Sequence, residues 1–274
     1  MSKLTGLLNR PGPIIMGVLN VTPDSFSDGG RFVDPEIALS HAREMINAGA
    51  DIIDIGGEST RPGADPVSPQ EEIDRVMPVI SLLRKHEDCA ISLDTSTAEL
   101  MQAACAERID LINDVRALRR DNALEVAADS GVPVCLMHMQ GDPATMQMNP
   151  RYEDLVPDIN AFFVDRIEAC EEAGIPRDRI LLDPGFGFGK TPHHNLVIIN
   201  RLQAFGVHGC PLLVGLSRKS TIAKITPDRT TGSVAGALLA VMNGARIVRV
   251  HDVAETVSAL RVLQAVTAES REFD

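Results

Sequence analysis

The 274-residue chain has no tryptophan, one tyrosine and eight phenylalanines. Its core cannot be organised around large rings and must be built from Ile, Leu, Val, Met and Ala. Apolar residues make up 44%, an ordinary share for a globular protein. Positive charge is short too: 26 Lys and Arg against 38 Asp and Glu leave a formal charge of −12. That excludes a nucleic-acid binder, whose footprint is a basic patch or stripe. Any anionic ligand therefore needs local help from Arg, His, a helix N-terminus or a metal ion. The five cysteines (Cys89, Cys105, Cys135, Cys170 and Cys210) are odd in number and far apart. With no metal-ligand spacing, they read as reduced core thiols of a cytoplasmic protein. No apolar run is long enough to span a bilayer, and the first residues, MSKLTGLLNRPGP, hold no apolar signal core. Neither a membrane nor a nucleic acid is an expected partner.

A nucleotide-binding loop is missing as well, despite one stretch that imitates it. In DPGFGFGKT (183–191) a Gly-Lys-Thr follows alternating glycines. The phosphate-binding pattern needs a further glycine five positions before Gly189, and Pro184 stands there. Proline has no N–H to offer a phosphate and cannot take the glycine conformation.

What is present is a recurrence. Eight short, often β-branched apolar segments run through the chain: IIMGVLN (14–20), DIIDIGG (51–57), AISLD (90–94), DLIND (110–114), PVCLMHM (133–139), ILLDPG (180–185), PLLVGLS (211–217) and RIVRVHD (246–252). Near-continuous apolar strands mark a parallel sheet covered on both faces. Helical patterns lie between them. Asp34-Pro35 starts one that ends at Gly49. Ser68-Pro69 with Glu71 predicts a capping box, and Pro78 predicts a kink in the helix that follows. A third carries Ile159, Phe163, Ile167 and Cys170 and stops at Gly174. Weaker patterns cover 97–107, 121–130, 193–204, 230–243 and 253–266. Strands alternating with helices predict one (β/α)₈ TIM barrel domain over 1–274, with an open doubly wound sheet as the alternative. The loops after strands 1 and 2 (21–33 and 58–68) are long and rich in Gly, Pro, Ser and Asp, as lids and binding loops are.

In such a barrel the active site lies at the C-terminal strand ends. Those ends carry Asn20, Thr60 and Arg61, Asp94, Asn113 and Asp114, His138, Asp183, Ser217 to Ser220, and Arg249 with His251. One polar strand end is usually a cap or loop contact, but polar groups at all eight predict a shared pocket. Asp94, Asn113 and Asp183 suit a flat heterocycle rich in N–H donors. Asn20, Thr60, Arg61, Arg249 and His251 suit phosphate oxygens, with the Asn20 amide oxygen able to ligate Mg²⁺. Lys219 stands between the two groups.

MGVLNVTPDSFSDGG (16–30), DIGGESTRPG (54–63), DPGFGFGK (183–190), GLSRKS (215–220) and RVHD (249–252) resemble, in order and over essentially the whole chain, the signature segments of the dihydropteroate synthase family. The resemblance implies a barrel transferase of folate biosynthesis that joins 4-aminobenzoate to (7,8-dihydropterin-6-yl)methyl diphosphate, releasing diphosphate. It implies Asp94, Asn113, Asp183 and Lys219 on the pterin, with Met137 on its face. Thr60, Arg61, Arg249 and His251 would hold the diphosphate, with Mg²⁺ on Asn20. Phe26, Pro62, Phe188, Lys219 and Ser220 would enclose 4-aminobenzoate, and Gly215 and Val250 join the binding set. Lys219, Asp94, Arg249 and His251 form the expected catalytic group, and a homodimer is implied. Asp28 either steadies a pterin cation or orients the amine, or is simply the Asp of a turn before Gly29-Gly30.

Several residues attract attention without joining this set. Lys190 reads as a solvated loop lysine, His193 and His194 as exposed helix residues, and His138 as a packed strand end. Glu58 reads as orienting a neighbouring loop, and Met45, Met77, Met101 and Met242 read as core. A Schiff-base aldolase using Lys219 is disfavoured because Arg218 and Ser220 give that lysine a polar setting. The remaining alternatives are a pterin-binding methyltransfer barrel and a catalytically silent pterin-binding module.

Overall fold

The computed structural model describes residues 3–22, 34–59, 67–143 and 145–269. Their strands are β1 (Ile14–Asn20), β2 (Ile52–Gly56), β3 (Ala90–Asp94), β4 (Leu111–Asp114), β5 (Val134–Met137), β6 (Ile180–Asp183), β7 (Leu212–Val214) and β8 (Ala245–Val250). Each pairs in parallel with the next, and β8 returns to β1, so the sheet closes into a barrel without edges. The expected (β/α)₈ architecture is therefore the observed one. The helices are α1 (Lys3–Asn9), α2 (Pro35–Ala48), α3 (Pro69–His86), α4 (Ala98–Ala106), α5 (Ala123–Ser130), α6 (Leu155–Glu172), α7 (Pro192–Asn200), α8 (Ser220–Ile225), α9 (Arg229–Met242) and α10 (Val253–Thr267).

Local chemistry sets the helix boundaries. Asp34 caps α2 by accepting the Glu36 N–H at 2.9 Å, and Gly49 ends it in the left-handed conformation. Only half of the predicted box forms at α3. Ser68 accepts the Glu71 N–H at 3.3 Å, but the Glu71 carboxylate turns to Arg75, one turn on, at 2.5 Å. The chain stays helical through Pro78. A complete box starts α7 instead: Thr191 Oγ1 accepts the His194 N–H at 3.1 Å, and the Thr191 N–H donates to His194 Nδ1 at 3.3 Å. His194 is thus a capping residue.

Side chains alternate between the barrel interior and the helix layer, and this periodicity positions the site. Inside, Ile14, Ile52, Leu111, Leu181, Leu213 and Ile247 form an apolar plug at the strand starts. Helix α1, for which the sequence pattern offers no signal, closes that end with the fully buried Leu4. Two residues along the same interior face, Ile52, Leu111, Leu181 and Ile247 give way to Asp54, Asn113, Asp183 and Arg249. Outside, the strands pack on α2 to α10 through an aliphatic layer that includes Met45 and Met101. Met77 is only partly buried, and Met242 is 61% exposed, so it is a surface residue of α9 rather than core.

Candidate active site

The interior polar residues meet at one mouth. The Arg249 guanidinium lies between two carboxylates: Nε donates to Asp54 Oδ2 at 2.6 Å and Nη2 to Asp94 Oδ2 at 2.7 Å. Asp54 is fully buried and also takes long contacts from Asn113 Nδ2, at 3.4 and 3.5 Å. Burial works against the charge of Arg249, but the Asp54 and Asp94 carboxylates more than offset it, and the group stays protonated. Burial pushes the Asp94 carboxyl above the usual carboxylate range while Arg249 pulls it down. The sequence separates an acid-and-amide flank from a cationic one; in the structure Arg249 interlocks with Asp94 and joins them. Asp54 is the group that sequence reasoning missed. Its signal was an aspartate inside an apolar strand, on the same face as Gly56 at the strand end.

Asp183 and Lys219 form the opposite wall. Asp183 accepts the Gly185 N–H at 2.7 Å. Burial raises its carboxyl, and the nearby Lys219 charge opposes the rise. Lys219 donates to the Phe186 carbonyl at 2.7 Å and sits 4.5 Å from the centre of the Phe188 ring. Burial lowers its pKa to about 8, against the pull of Asp183. The polar neighbours in sequence thus do not keep it solvated. The reason lies in the turn before it. Arg218 adopts a left-handed conformation, φ 58°, and pairs outward with Asp252, so Lys219 points inward at the start of α8. Gly215 lies between the two cations, since a Cβ there would come within 3.6 Å of Arg249 and 3.8 Å of Lys219.

His251 is half-buried beside this wall. Burial, and then the Arg249 charge, lower its pKa to about 4, so it is neutral in the free protein. Its backbone N–H donates to Ser217 Oγ at 3.2 Å, and Nδ1 lies 3.1 Å from the same oxygen. A Ser217 hydroxyl that donates to Nδ1 leaves the ring's own proton on Nε2. Met137 is buried and packs with Val115, Met139, Met146 and Phe188. Ser220 is exposed at the first turn of α8, and Asn20 is half-buried at the end of β1. Arg249 takes the interior face, so the next side chain, Val250, packs in the layer beneath the helices. Phe26, Asp28, Thr60, Arg61 and Pro62 lie outside the described residues.

One further residue differs from its sequence reading. Lys190 is 2% exposed rather than solvated. Its amine meets His138 Nδ1 at 2.9 Å, the His138 carbonyl at 3.3 Å and the Phe188 carbonyl at 2.9 Å, which explains why a lysine lies under the glycine loop. Burial, then Lys190, lower the His138 pKa to about 2. Gly185 is required there: φ is 71°, and a Cβ would fall 1.8 Å from the His138 carbonyl oxygen. Glu58 pairs with Arg116 at 3.0 Å, tying the start of the strand-2 loop to the strand-4 loop.

Known proteins match the chain over most of its length. The model of the family described as pterin binding enzyme matches residues 16–251. The chain is similar to dihydropteroate synthase of Escherichia coli (strain K12), 51% identical over 262 residues, covering 94% of this chain and 93% of the relative. It is similar to the Yersinia pestis dihydropteroate synthase solved with a sulfonamide drug complex, with TM-score 0.90, 51% identity and 95% and 96% of the two chains covered. It is also similar to the Xanthomonas albilineans dihydropteroate synthase solved with 4-aminobenzoic acid, with TM-score 0.89, 49% identity and coverage of 95% and 94%. The chain belongs to the pterin-binding enzymes and, within them, to the dihydropteroate synthases.

Proposed function

We propose how this chain condenses (7,8-dihydropterin-6-yl)methyl diphosphate with 4-aminobenzoate. Asp94, Asn113, Asp183 and Lys219 hold the pterin, with Met137 against its face. Arg249 and His251 bind the diphosphate together with Thr60 and Arg61. Phe188, Lys219 and Ser220, with Phe26 and Pro62, enclose 4-aminobenzoate, which is the ligand of the Xanthomonas albilineans relative. The observation that carries the reading is Arg249 bridging Asp54 and Asp94, beside Asn113. A cation fixed beside a carboxylate acceptor puts diphosphate recognition next to pterin recognition.

The reaction breaks the C–O bond at the pterin methylene, and the bonding pair leaves with the diphosphate. Departure leaves a cation conjugated with the electron-rich ring, so the path is dissociative. Arg249 offsets the charge that develops on the leaving group, and the neutral His251 offers it the Nε2–H. The buried carboxyls of Asp94 and Asp183 steady the pterin cation. The arylamine of 4-aminobenzoate is neutral at pH 7 and attacks without a strong base, then loses its proton to water once the C–N bond has formed. Asp28 orients the amine.

Mg²⁺ fits this donor set as a shared ion. Among the described residues no group of three or more His, Cys, Asp or Glu could hold a metal, so Asn20 would supply an amide oxygen, with diphosphate and water as the other ligands. Bound there, the ion would neutralise the leaving group.

We also propose a single-domain homodimer that works in the cytoplasm. The closed barrel spanning residues 14–250 and the five free cysteines support the first and last of these. Exposed Leu239 and Met242 on α9, with Val262 and Val266 on α10, support a covered face. No helix among the described residues is long and apolar enough to cross a membrane.

The experiment is positional isotope exchange. Pterin diphosphate carrying ¹⁸O in the C–O–P bridge is incubated with enzyme and Mg²⁺, without 4-aminobenzoate. The bridge label is expected to scramble into the non-bridging α-phosphate oxygens. No scrambling from an enzyme that turns over normally with both substrates would overturn the dissociative path.

A further inference from the structure

Lys219 and Ser220 begin α8, while Phe188 lies on the glycine loop after β6, and both segments need a fixed separation to hold one aromatic acid. Among the described residues, a buried side chain of α7 reaches both. Asn195 is 1% exposed. Its Oδ1 accepts the Gly187 N–H at 2.8 Å, and its Nδ2 donates to Thr221 Oγ1 at 2.8 Å. Gly187 precedes Phe188, and Thr221 follows Ser220. The bridge therefore ties one wall of the 4-aminobenzoate pocket to the other. It starts from a rigid point, since Asn195 directly follows His194 of the Thr191 capping box. Two other side chains act on the same part of the loop: Lys219 donates to the Phe186 carbonyl at 2.7 Å, and Gln147 donates to the Gly187 carbonyl. Lys190 holds the Phe188 and His138 carbonyls, and Tyr152 donates to the Gly189 carbonyl at 2.8 Å. Neither of those side chains is seen to touch α8. At its near edge the loop already meets the lysine: a Cβ on Gly187 would lie 3.1 Å from Lys219 Cδ.

We infer that Asn195 is a positioning residue for the second substrate, setting the gap between Phe188 and Ser220. This rests on the reading that these two residues enclose 4-aminobenzoate. A buried amide that uses both ends is sensitive to replacement, because each partner then loses its hydrogen bond. A wall moved by about 1 Å can cost up to about a hundredfold in rate or affinity.

The test is steady-state kinetics with each substrate varied in turn, alongside thermal melting. Asn195→Leu is expected to raise KM for 4-aminobenzoate about tenfold or more, with KM for the pterin diphosphate within about twofold of the parent. Asn195→Asp keeps the acceptor for Gly187 and can accept a hydrogen bond from the Thr221 hydroxyl, so it should recover much of the loss. Thr221→Val should raise the same KM and add little in the double variant, because one bridge is already cut. Equal KM changes for both substrates, or no change in an Asn195→Leu enzyme that melts normally, would overturn the proposal. If Asn195→Leu does not fold, Thr221→Val alone decides by the same criterion. Phe188→Ala and Ser220→Ala separate the two levels. If neither affects KM for 4-aminobenzoate, the pocket reading falls, and the bridge with it. If they raise it and Asn195→Leu does not, only the bridge falls.

Discussion

At the scale of single residues, burial sets the charge state of each group. Lys219 is the clearest instance: it carries a proton below about pH 8 and loses it above. The lowered pKa means that folding holds the charged form at a cost, which lessens as pH rises through 8 toward the unfolded value of 10.5. Activity runs the other way, because the proposed pterin contact needs the ammonium. The kcat/KM for the pterin diphosphate is therefore expected to fall about tenfold per pH unit above 8. Lys219→Arg, which stays charged, should retain part of the activity and lose that limb. A pH–rate profile of both enzymes checks this, and an unchanged limb in the arginine variant would assign it to another group. Lys219 was legible in the sequence as a site residue, but its desolvation was not. Its neighbours in sequence are polar, and only the left-handed Arg218 turn directs it inward. Lys190 failed for a related reason. A lysine among glycines reads as solvated, and two of the three hydrogen-bond partners of its amine come from His138, the residue after β5. Asp54 was hidden because attention to strand ends passes over a carboxylate two residues earlier on the interior face.

At the scale of elements, the glycine loop after β6 shows how backbone conformation becomes chemistry. Gly185, Gly187 and Gly189 all have positive φ, between 62° and 87°. This lets the chain press against His138 and Gln140, just after β5, while showing the Phe186 carbonyl and the Phe188 ring to Lys219. Gly187→Ala separates the two effects. Its Cβ would meet the flexible Lys219 side chain rather than backbone, so the protein should still fold, at a cost of about 1–2 kcal/mol for a left-handed alanine. Turnover should drop by more than tenfold, because Lys219 must give way. Melting curves beside kinetics decide this, and activity lost only in proportion to folded protein would refute the specific effect. Element boundaries were readable where caps and turn residues mark them, as at Asp34 and Gly49. They were unreadable where a rival side-chain pair or a change of helix type decides. The Glu71 half of the predicted box is lost to Arg75, and α7 passes after Asn200 into a 3₁₀ turn at Leu202–His208. Helix α1 is held by the barrel itself, its Leu7 and Leu8 carbonyls accepting from Arg246 at 2.9 and 3.0 Å.

At the scale of the whole molecule, one alternation divides the barrel between stability and reaction. The apolar strand periodicity was enough to predict eight strands. Closure then follows because parallel neighbours leave β8 beside β1, with Ile14 opposite Ile247 and Met16 opposite Arg249. Those two register pairs, one layer apart, are where the apolar plug ends and the reactive layer starts. A change below that boundary should alter stability and leave recognition alone. Leu4 is fully buried against Ile14, Leu111 and their neighbours at the closed end. Truncating Leu4→Ala is expected to cost about 2–5 kcal/mol, through lost burial and the cavity left behind. The melting temperature should fall, while both KM values stay within about twofold of the parent at a temperature where the variant is folded. Denaturant unfolding with kinetics on the folded fraction tests this. A KM shift comparable to that of a mouth variant would show that the plug and the mouth move together, because the Ile247 and Arg249 side chains are successive inward steps of one short strand.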